Sequence, residues 1–243
     1  MFSLLKKEIQ IFLGSLIGYI VIIVFLTIVG LVMWVFPGNS NVLDSGYASL
    51  GPLFNIAPWV FLFLIPAVSM RLFSDENRSG TMELLLTKPI TDLEIIIAKY
   101  LAGLLLVVFS LLPTLVYYFT VYQLGAPAGN LDQGGFWGSY LGLLFLAAGF
   151  ISIGLFSSSL SDNQVVAFII AVFLCFFAYI GFDFISSLGL LGSMDLFVLK
   201  LGINEHYSSM SRGVIDSRDA LYFASLICFF LLLTKLKLSA RNW

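Results

Sequence analysis

Residues 71–99 read RLFSDENRSGTMELLLTKPITDLEIIIAK, a charged stretch inside a very apolar chain. They contain nine of the 26 formally charged side chains, which are 12 Lys and Arg plus 14 Asp and Glu. Long apolar runs precede and follow this stretch, and such runs are typical of membrane spans. Because residues 71–99 are half hydrophobic and lie between two spans, we interpret them as a docking surface for another protein.

The overall composition excludes a soluble protein. Hydrophobic residues make up 60% of the chain and charged residues 11%, whereas soluble domains average about 45–50% and about 25%. Too few polar side chains remain to cover a water-facing surface. We therefore expect one all-α membrane domain over residues 1–243, in contact with the lipid bilayer. The net charge of −2 and the lack of a basic run give no indication of nucleic-acid binding.

Six apolar runs predict a polytopic protein with six transmembrane helices. The second run is short and contains Pro58 and Pro66, which we regard as possible hinges because proline removes a helical hydrogen bond. The third is preceded by Thr91 and Glu94, a capping-box pattern that starts a helix. Six spans place both termini on the same side. The predicted spans are residues 11–36, 56–70, 100–122, 137–155, 165–185 and 221–234.

The distribution of Lys and Arg predicts that both termini are cytoplasmic. In this orientation nine of the 12 Lys and Arg residues lie in cytoplasmic segments and three in outer segments, in agreement with the positive-inside rule. The three exceptions all lie in the long outer segment 186–219, which also has apolar stretches too short to span. We expect short helices there, at or within the outer leaflet.

The N-terminal residues 1–13 predict an amphipathic helix. At 100° per residue Lys6 and Lys7 fall on its polar face, and Glu8 lies off that face. A basic amphipathic helix is typical of the cytoplasmic membrane interface, so we expect an interface helix. The alternative, that these residues are only the hydrated start of the first span, remains open.

The middle of residues 71–99 predicts a short cytoplasmic helix between the second and third spans. Gly80 favours a chain break, and Thr81 favours the N-cap of a new helix. Glu83 suits the positive end of that helix's dipole. The apolar run 84–86 follows, and Pro89 ends the turn. An ordinary interfacial elbow without a partner is the alternative interpretation.

The chain lacks the motifs of several other function classes. It has no G-x-x-x-x-G-K-[ST] loop, so we do not expect it to hydrolyse ATP itself, and it has no G-x-S-x-G motif. The single histidine, His206, has no second His or Cys nearby, so no metal site is expected. Ion-coupled transporters usually need ionisable residues near the bilayer midplane. The predicted span interiors contain one, Asp183, near the outer end of the fifth span, so secondary transport is not favoured.

Glu76 and the run Gly80–Ile90 closely resemble the E-x-x-x-G-T-x-E-x-L-L-x-x-P segment of ABC-2 type transporter permeases. The resemblance implies a coupling helix that fits a cleft on a separate ATPase subunit, where ATP and Mg²⁺ would bind. It also implies polar contacts from Glu76 and Glu83, and an apolar anchor formed by Leu84 and Leu85. The chain itself would be a permease without enzymatic activity or a cofactor of its own.

Two further stretches extend the resemblance. The Lys7-Glu8 region is similar to the interface helix of the ABC-2 permeases, and residues 205–223 resemble the gliding-motility permease subfamily called GldF. This second resemblance implies an exporter of the bacterial inner membrane with a GldA-like ATPase. A second membrane subunit would be another copy of this chain or a GldG-like partner. The alternative is a membrane anchor or scaffold of a motility or secretion machine that transports nothing.

Overall fold

The computed structural model of the chain describes residues 2–82, 90–189, 192–213 and 216–240. Over these residues every regular element is helical and none is a strand. Six helical stretches are long and apolar enough to cross a membrane, judged by length and composition. The prediction of an all-α fold with six candidate spans is confirmed.

Short 3₁₀ segments cover Leu112–Thr114 and Gly192–Met194, and a π-helical turn covers Phe177–Gly181. Over the described residues, the α-helices with both ends defined are α1 (Phe2–Gly14), α2 (Leu16–Trp34), α3 (Val42–Ser45), α4 (Gly51–Ser69), α5 (Arg71–Ser79), α6 (Asp92–Leu111), α7 (Leu115–Leu124), α8 (Gln133–Leu160), α9 (Gln164–Phe176), α10 (Phe182–Ser187), α11 (Asp195–Leu199), α12 (Ile203–Met210) and α13 (Ser217–Ser239). The candidate spans, numbered 1 to 6 along the chain, are Leu16–Trp34, Gly51–Ser79, Asp92–Leu124, Gln133–Leu160, Gln164–Ser187 and Ser217–Ser239.

A break at Ser15 separates the N-terminal helix from span 1. Ser15 is extended (φ −95°, ψ 143°), and its side chain accepts a hydrogen bond from the Gly18 amide, which caps α2. The predicted start of the first span at residue 11 was therefore wrong, because residues 11–14 belong to α1. Hydropathy does not reveal this break, since the apolar run continues through it. The position of α1 in a membrane interface stays a prediction.

Span 2 is longer than predicted and includes the first part of the charged stretch. Helices α4 and α5 together form a 29-residue candidate span from Gly51 to Ser79, so residues 71–79 are helix and not loop. The prediction was too short because the charged side chains of α5 lower its hydropathy. Gly80 ends α5 in the left-handed conformation at φ +68°, which glycine adopts at no steric cost.

Span 3 begins with the capping box predicted from the sequence. The Glu94 amide donates to Thr91 Oγ1 at 3.3 Å, and the Thr91 amide donates to Glu94 Oε2 at 3.0 Å. These reciprocal bonds satisfy two backbone donors at the helix start and place the first helical residue at Asp92. Residues 92–99 are therefore the first turns of α6, as the capping box predicted, although the span prediction had left them in the cytoplasmic loop.

Span 4 is the central helix of the bundle. In its most apolar window 78% of the residues are buried, compared with 28%, 22% and 17% for spans 1, 5 and 6. It packs against spans 2, 3, 5 and 6. Spans 1, 5 and 6 therefore leave most of their apolar side chains on the outside of the bundle, an arrangement that suits hydrocarbon and not water.

Both ends of the described chain lie at the same end of the bundle. Helix α1 contacts α6, and Ser239 Oγ, at the end of α13, lies 3.5 Å from Asp92 Oδ2 at the start of α6. We call this the N-terminal end of the bundle. The predicted cytoplasmic location of this end is not tested by the fold itself and stays a prediction.

Pro58 lies inside α4, where its missing N–H leaves the Phe54 carbonyl without its helical partner. The Tyr207 hydroxyl of α12 donates to that carbonyl at 2.7 Å. Burial raises the pKa of the Tyr207 hydroxyl above its ordinary value, so the group stays protonated and remains a donor. Helix α12, which supplies this bond, lies in the segment 186–219. Short helices were predicted there, and the segment does contain them.

We expect Tyr207→Phe to lower the free energy of unfolding by about 1–3 kcal/mol, because it leaves a buried carbonyl unsatisfied. Thermal unfolding in detergent, followed by loss of the monodisperse species, measures the change. The control is Tyr19→Phe in span 1, where the tyrosine is 56% exposed. Equal midpoints for the two variants would contradict the role assigned to the Tyr207 hydroxyl.

Candidate functional site

Lys99 is a fully buried lysine near the start of span 3. Its side chain is 1% exposed, and its Nζ lies 3.1 Å from Glu8 Oε1 and 2.8 Å from Glu76 Oε2. The same Nζ donates to the Leu72 carbonyl oxygen at 2.6 Å and lies 5.2 Å from the centroid of the Phe73 ring. An ammonium group has three N–H donors, and Lys99 thus has three oxygen partners within contact distance.

The two carboxylates come from helices that are far apart in the sequence. Glu8 lies on α1 and is 5% exposed, and Glu76 lies on α5 and is 8% exposed. Lys7 Nζ, on a half-exposed side chain, lies 3.3 Å from Glu76 Oε1 and 3.9 Å from Glu8 Oε1. Glu76 Oε2 makes no aligned hydrogen bond, so its contact with Lys99 is ionic. We call Lys7, Glu8, Glu76 and Lys99 the ion cluster; its formal charges sum to zero.

Helical periodicity explains why each charge faces the bundle. On α1, Glu8 is buried together with Leu4 and Phe12, four residues before and after it. On α6, Lys99 is buried together with Ile95, again four residues away. Side chains spaced by four lie on the same helix face, so these charges lie on the apolar, inward faces of their helices.

Burial makes the ion cluster a positional constraint more than a source of stability. Removing a charged group from water costs several kcal/mol, and pairing offsets this cost without a large surplus. Removal of one partner, however, leaves the opposite charge buried and uncompensated. The cluster therefore requires α1, α5 and α6 to stay together.

A cavity of about 230 Å³ lies beside the ion cluster, and Ser15, Arg71 and Thr81 are among its lining residues. Arg71 Nε donates to Asp75 Oδ2 at 3.0 Å within α5. Gln164 Nε2, at the start of span 5, donates to the other Asp75 oxygen. Helix α5 thus has polar contacts with α1, α6 and span 5.

The predicted site residues separate into four groups. The structure brings Lys7, Glu8 and Glu76 together in the ion cluster, whereas Lys6 points away from it and is exposed. Glu83, Leu84, Leu85 and Pro89 lie outside the described residues. Gly80 ends α5, Thr81 Oγ1 lies 2.8 Å from Ser79 Oγ, and Pro58 and Pro66 are buried inside α4.

Sequence reasoning missed Lys99 as a site residue and treated it as the end of a loop. The available signal was its position in the apolar run IIIAKYLAG, where a charge requires a partner. Glu8 carried a similar signal, since it lies off the polar face of α1.

His206, which the sequence left without a role, has a structural one. Its Nδ1 lies 2.7 Å from Asp219 Oδ1, and its Nε2 lies 2.9 Å from the Lys200 carbonyl oxygen. Its ring stacks on Tyr222 with centroids 3.8 Å apart. Among the described residues, no group of three or more His, Cys, Asp and Glu side chains is arranged to hold a metal ion.

Comparison with known protein families identifies the class of protein. The family described as "ABC-2 family transporter protein" matches residues 4–208, which include the whole ion cluster and spans 1 to 5. The chain belongs to this family. It is a multi-pass membrane protein, and the family consists of permease components that work with an ATPase partner. Among curated proteins, no relative matches the chain.

We expect Lys99→Met to lower the free energy of unfolding by about 3–5 kcal/mol, because it leaves two buried carboxylates without their shared cation. Thermal unfolding in detergent measures the loss. The matched control is Lys6→Met on the exposed face of α1, which should leave the midpoint unchanged. Adding Glu8→Gln and Glu76→Gln to Lys99→Met should restore part of the loss, since no buried charge then remains. A Lys99→Met midpoint equal to that of the control would contradict this account.

Proposed function

We propose that this chain is the transmembrane permease subunit of an ATP-driven ABC-2 exporter, coupled to a separate ATPase at the N-terminal end of the bundle. The ion cluster is the observation that carries the proposal. It joins α1, α5 and α6. Helix α5 ends at Gly80, and the predicted coupling residues at positions 83–89 follow in the chain, between α5 and α6. A force applied to residues 81–89 by an ATPase would therefore act on three helices together.

The contacts of α5 suggest the route by which such a force reaches the membrane. Movement of residues 81–89 would displace α5, which continues into α4 as the remainder of span 2. It would also displace α6, which is the first part of span 3. Bending of α4 at Pro58 and Pro66 would then allow spans 2 and 3 to tilt.

Glu76 has a different role in this proposal from the one implied by the resemblance. Because it is 8% exposed and paired with Lys7 and Lys99, we assign it to holding α5 and not to contacting the ATPase. Direct contact with the ATPase falls to Glu83, as a polar contact, and to Leu84 and Leu85, as an apolar anchor. Lys6 and the exposed face of α1 would complete that contact surface.

The remaining features of the complex follow from this arrangement. The N-terminal end would face the cytoplasm of a bacterial cell, with the spans in the inner membrane and both termini cytoplasmic. Two membrane halves and two ATPase subunits would form the working unit. ATP and Mg²⁺ would bind to the ATPase subunits, and the permease would bind no cofactor.

The link to gliding motility rests on the resemblance of residues 205–223 to GldF. In the structure this stretch holds α12 against span 6 through the contacts of His206 with Asp219 and Tyr222. On this basis we propose a GldA-like ATPase, and a GldG-like protein or a second copy of this chain as the other membrane half.

We expect Glu83→Lys to reduce recovery of the ATPase about tenfold, because reversing a charge in a contact surface opposes association. The measurement is a pull-down from gently solubilised native membranes, with the ATPase identified by mass spectrometry and by ATP hydrolysis. Deletion of residues 80–89 should abolish recovery. The matched control is Glu205→Lys, the same charge reversal on an exposed residue of α12, and it should retain recovery.

Two outcomes would contradict the proposal. One is that wild type recovers no ATPase from a membrane shown to contain one. The other is that Glu83→Lys and the deletion both recover as much as wild type.

A further inference from the structure

The hydrogen-bond ladder of span 2 is interrupted just after Met70, where the amides of Phe73 and Ser74 bond outside the helix. Met70 itself is helical (φ −54°, ψ −28°), and its amide donates to the Pro66 carbonyl oxygen. Helix α4 ends at Ser69 and α5 begins at Arg71, although both belong to one 29-residue candidate span. A helix interrupted in this way has backbone groups that lose their regular partners. Because a membrane interior offers no water, other protein groups must supply the missing bonds.

The Ser74 hydroxyl within α5 donates to the Met70 carbonyl oxygen, and Ser158 of span 4 bonds both this oxygen and two amides of α5. Ser158 Oγ donates to the Met70 carbonyl oxygen at 2.7 Å, and it accepts from the amides of Phe73 at 2.9 Å and Ser74 at 3.1 Å. A hydroxyl has one donor and two acceptor positions, so this hydroxyl uses its full capacity on the backbone of span 2. The side chain is fully buried.

A close approach of spans 2 and 4 brings the Ser158 hydroxyl to the backbone of span 2. Gly154 precedes Ser158 by four residues and therefore lies on the same face of α8. A Cβ added at Gly154 would overlap the Ser69 hydroxyl and lie 2.7 Å from Ser69 Cβ. A small-x-x-x-small pair of this kind allows helix backbones to approach closely in membranes.

The neighbouring serines do not share this geometry. Ser157 Oγ donates to the Ile153 carbonyl at 2.9 Å, and Ser159 Oγ donates to the Phe156 carbonyl at 2.6 Å, both within α8. These two side chains are also buried. Of three consecutive buried serines, Ser158 is the one that bonds the backbone of another span.

Met70 separates two parts of span 2 that have different attachments. Both parts contribute side chains to the apolar core, among them Ile65 of α4 and Phe73 of α5. On one side, α4 is attached to α12 by the Tyr207–Phe54 bond. On the other side, α5 is attached to α1 and α6 by the ion cluster. A side chain inserted into the helical hydrogen-bond ladder is one of the established causes of helix bending.

We propose that Ser158 is a positioning residue that sets a pivot at Met70, about which α5 moves relative to α4. Its hydroxyl keeps the interrupted backbone satisfied, so that the angle between α4 and α5 can change without exposing bare polar groups to hydrocarbon. The proposed movement of α5 rests on the proposed function, because the coupled ATPase drives it. The hydrogen bonds between Ser158 and α5 do not depend on that function.

The first experiment tests these hydrogen bonds in the full chain without an ATPase. We expect Ser158→Ala to accelerate amide hydrogen exchange of a peptide containing Phe73 and Ser74 about three- to tenfold, the effect of losing about one net hydrogen bond. Ser157→Ala, which removes an equally buried hydroxyl one residue away, should leave that peptide unchanged. Equal exchange in Ser158→Ala and Ser157→Ala overturns the proposal.

The second experiment measures the pivot in the complex with the ATPase. Spin labels are attached at Arg78→Cys, exposed at the end of α5, and at Leu160→Cys, exposed at the end of α8, in a chain that also carries Cys175→Ala and Cys228→Ala. We expect a non-hydrolysable ATP analogue to shift the distance between the two labels. The Ser157→Ala variant should keep that shift, and the Ser158→Ala variant should lose at least half of it.

The outcomes separate the two proposals. A full nucleotide-dependent shift in Ser158→Ala overturns the pivot and leaves Ser158 as a packing residue. No shift in a wild-type complex that hydrolyses ATP also overturns the pivot, while the proposed function stands. Failure to recover any ATPase overturns the proposed function and the driven movement, and the exchange experiment then decides by itself whether Ser158 holds α5.

Discussion

The structure of the N-terminal end depends on the compensation of one buried ammonium group. Lys99 lies on the inward face of α6, where water does not reach it, and an isolated charge in such a place would cost many kcal/mol. Glu8, Glu76 and the Leu72 carbonyl together remove that cost. Because these acceptors belong to α1 and α5, neither helix can separate from α6 without exposing a bare charge. The interaction thus requires α1, α5 and α6 to stay together.

The same constraint acts on uncharged backbone groups at three irregular points of spans 2 and 3. Tyr207 bonds the carbonyl that Pro58 leaves free, and Ser158 bonds the backbone around Met70. Where α6 ends and a 3₁₀ turn begins, the Tyr140 hydroxyl donates to the Leu111 carbonyl at 2.9 Å. In each case a hydroxyl from a different helix does what water would do in a soluble protein. At these three points the irregular backbone is therefore held by a specific side chain of a neighbouring helix.

Much of the fold was predictable from local sequence. The apolar runs predicted six spans, the Thr91 and Glu94 pair predicted the start of α6, and the resemblance of residues 76–90 predicted the family. The errors occurred at boundaries that hydropathy does not register. The break at Ser15 lies within an apolar run and depends on a serine cap, whereas α5 is helical although its composition is polar. The candidate site was predicted in part, since Glu8 and Glu76 were singled out and Lys99 was not.

The sequence by itself determined the membrane class, the number of spans and the local caps, because these depend on residues only a few positions apart. It also contained a signal, which the prediction did not use, that Lys99 and Glu8 require partners, since each is a charge on an apolar helix face. Only the tertiary structure decided which residues those partners are. Lys99 and Glu8 are separated by 91 positions, and Ser158 and Met70 by 88. A buried charge or an interrupted helix needs a polar partner. The packing of the helices decides which side chain lies close enough to be that partner.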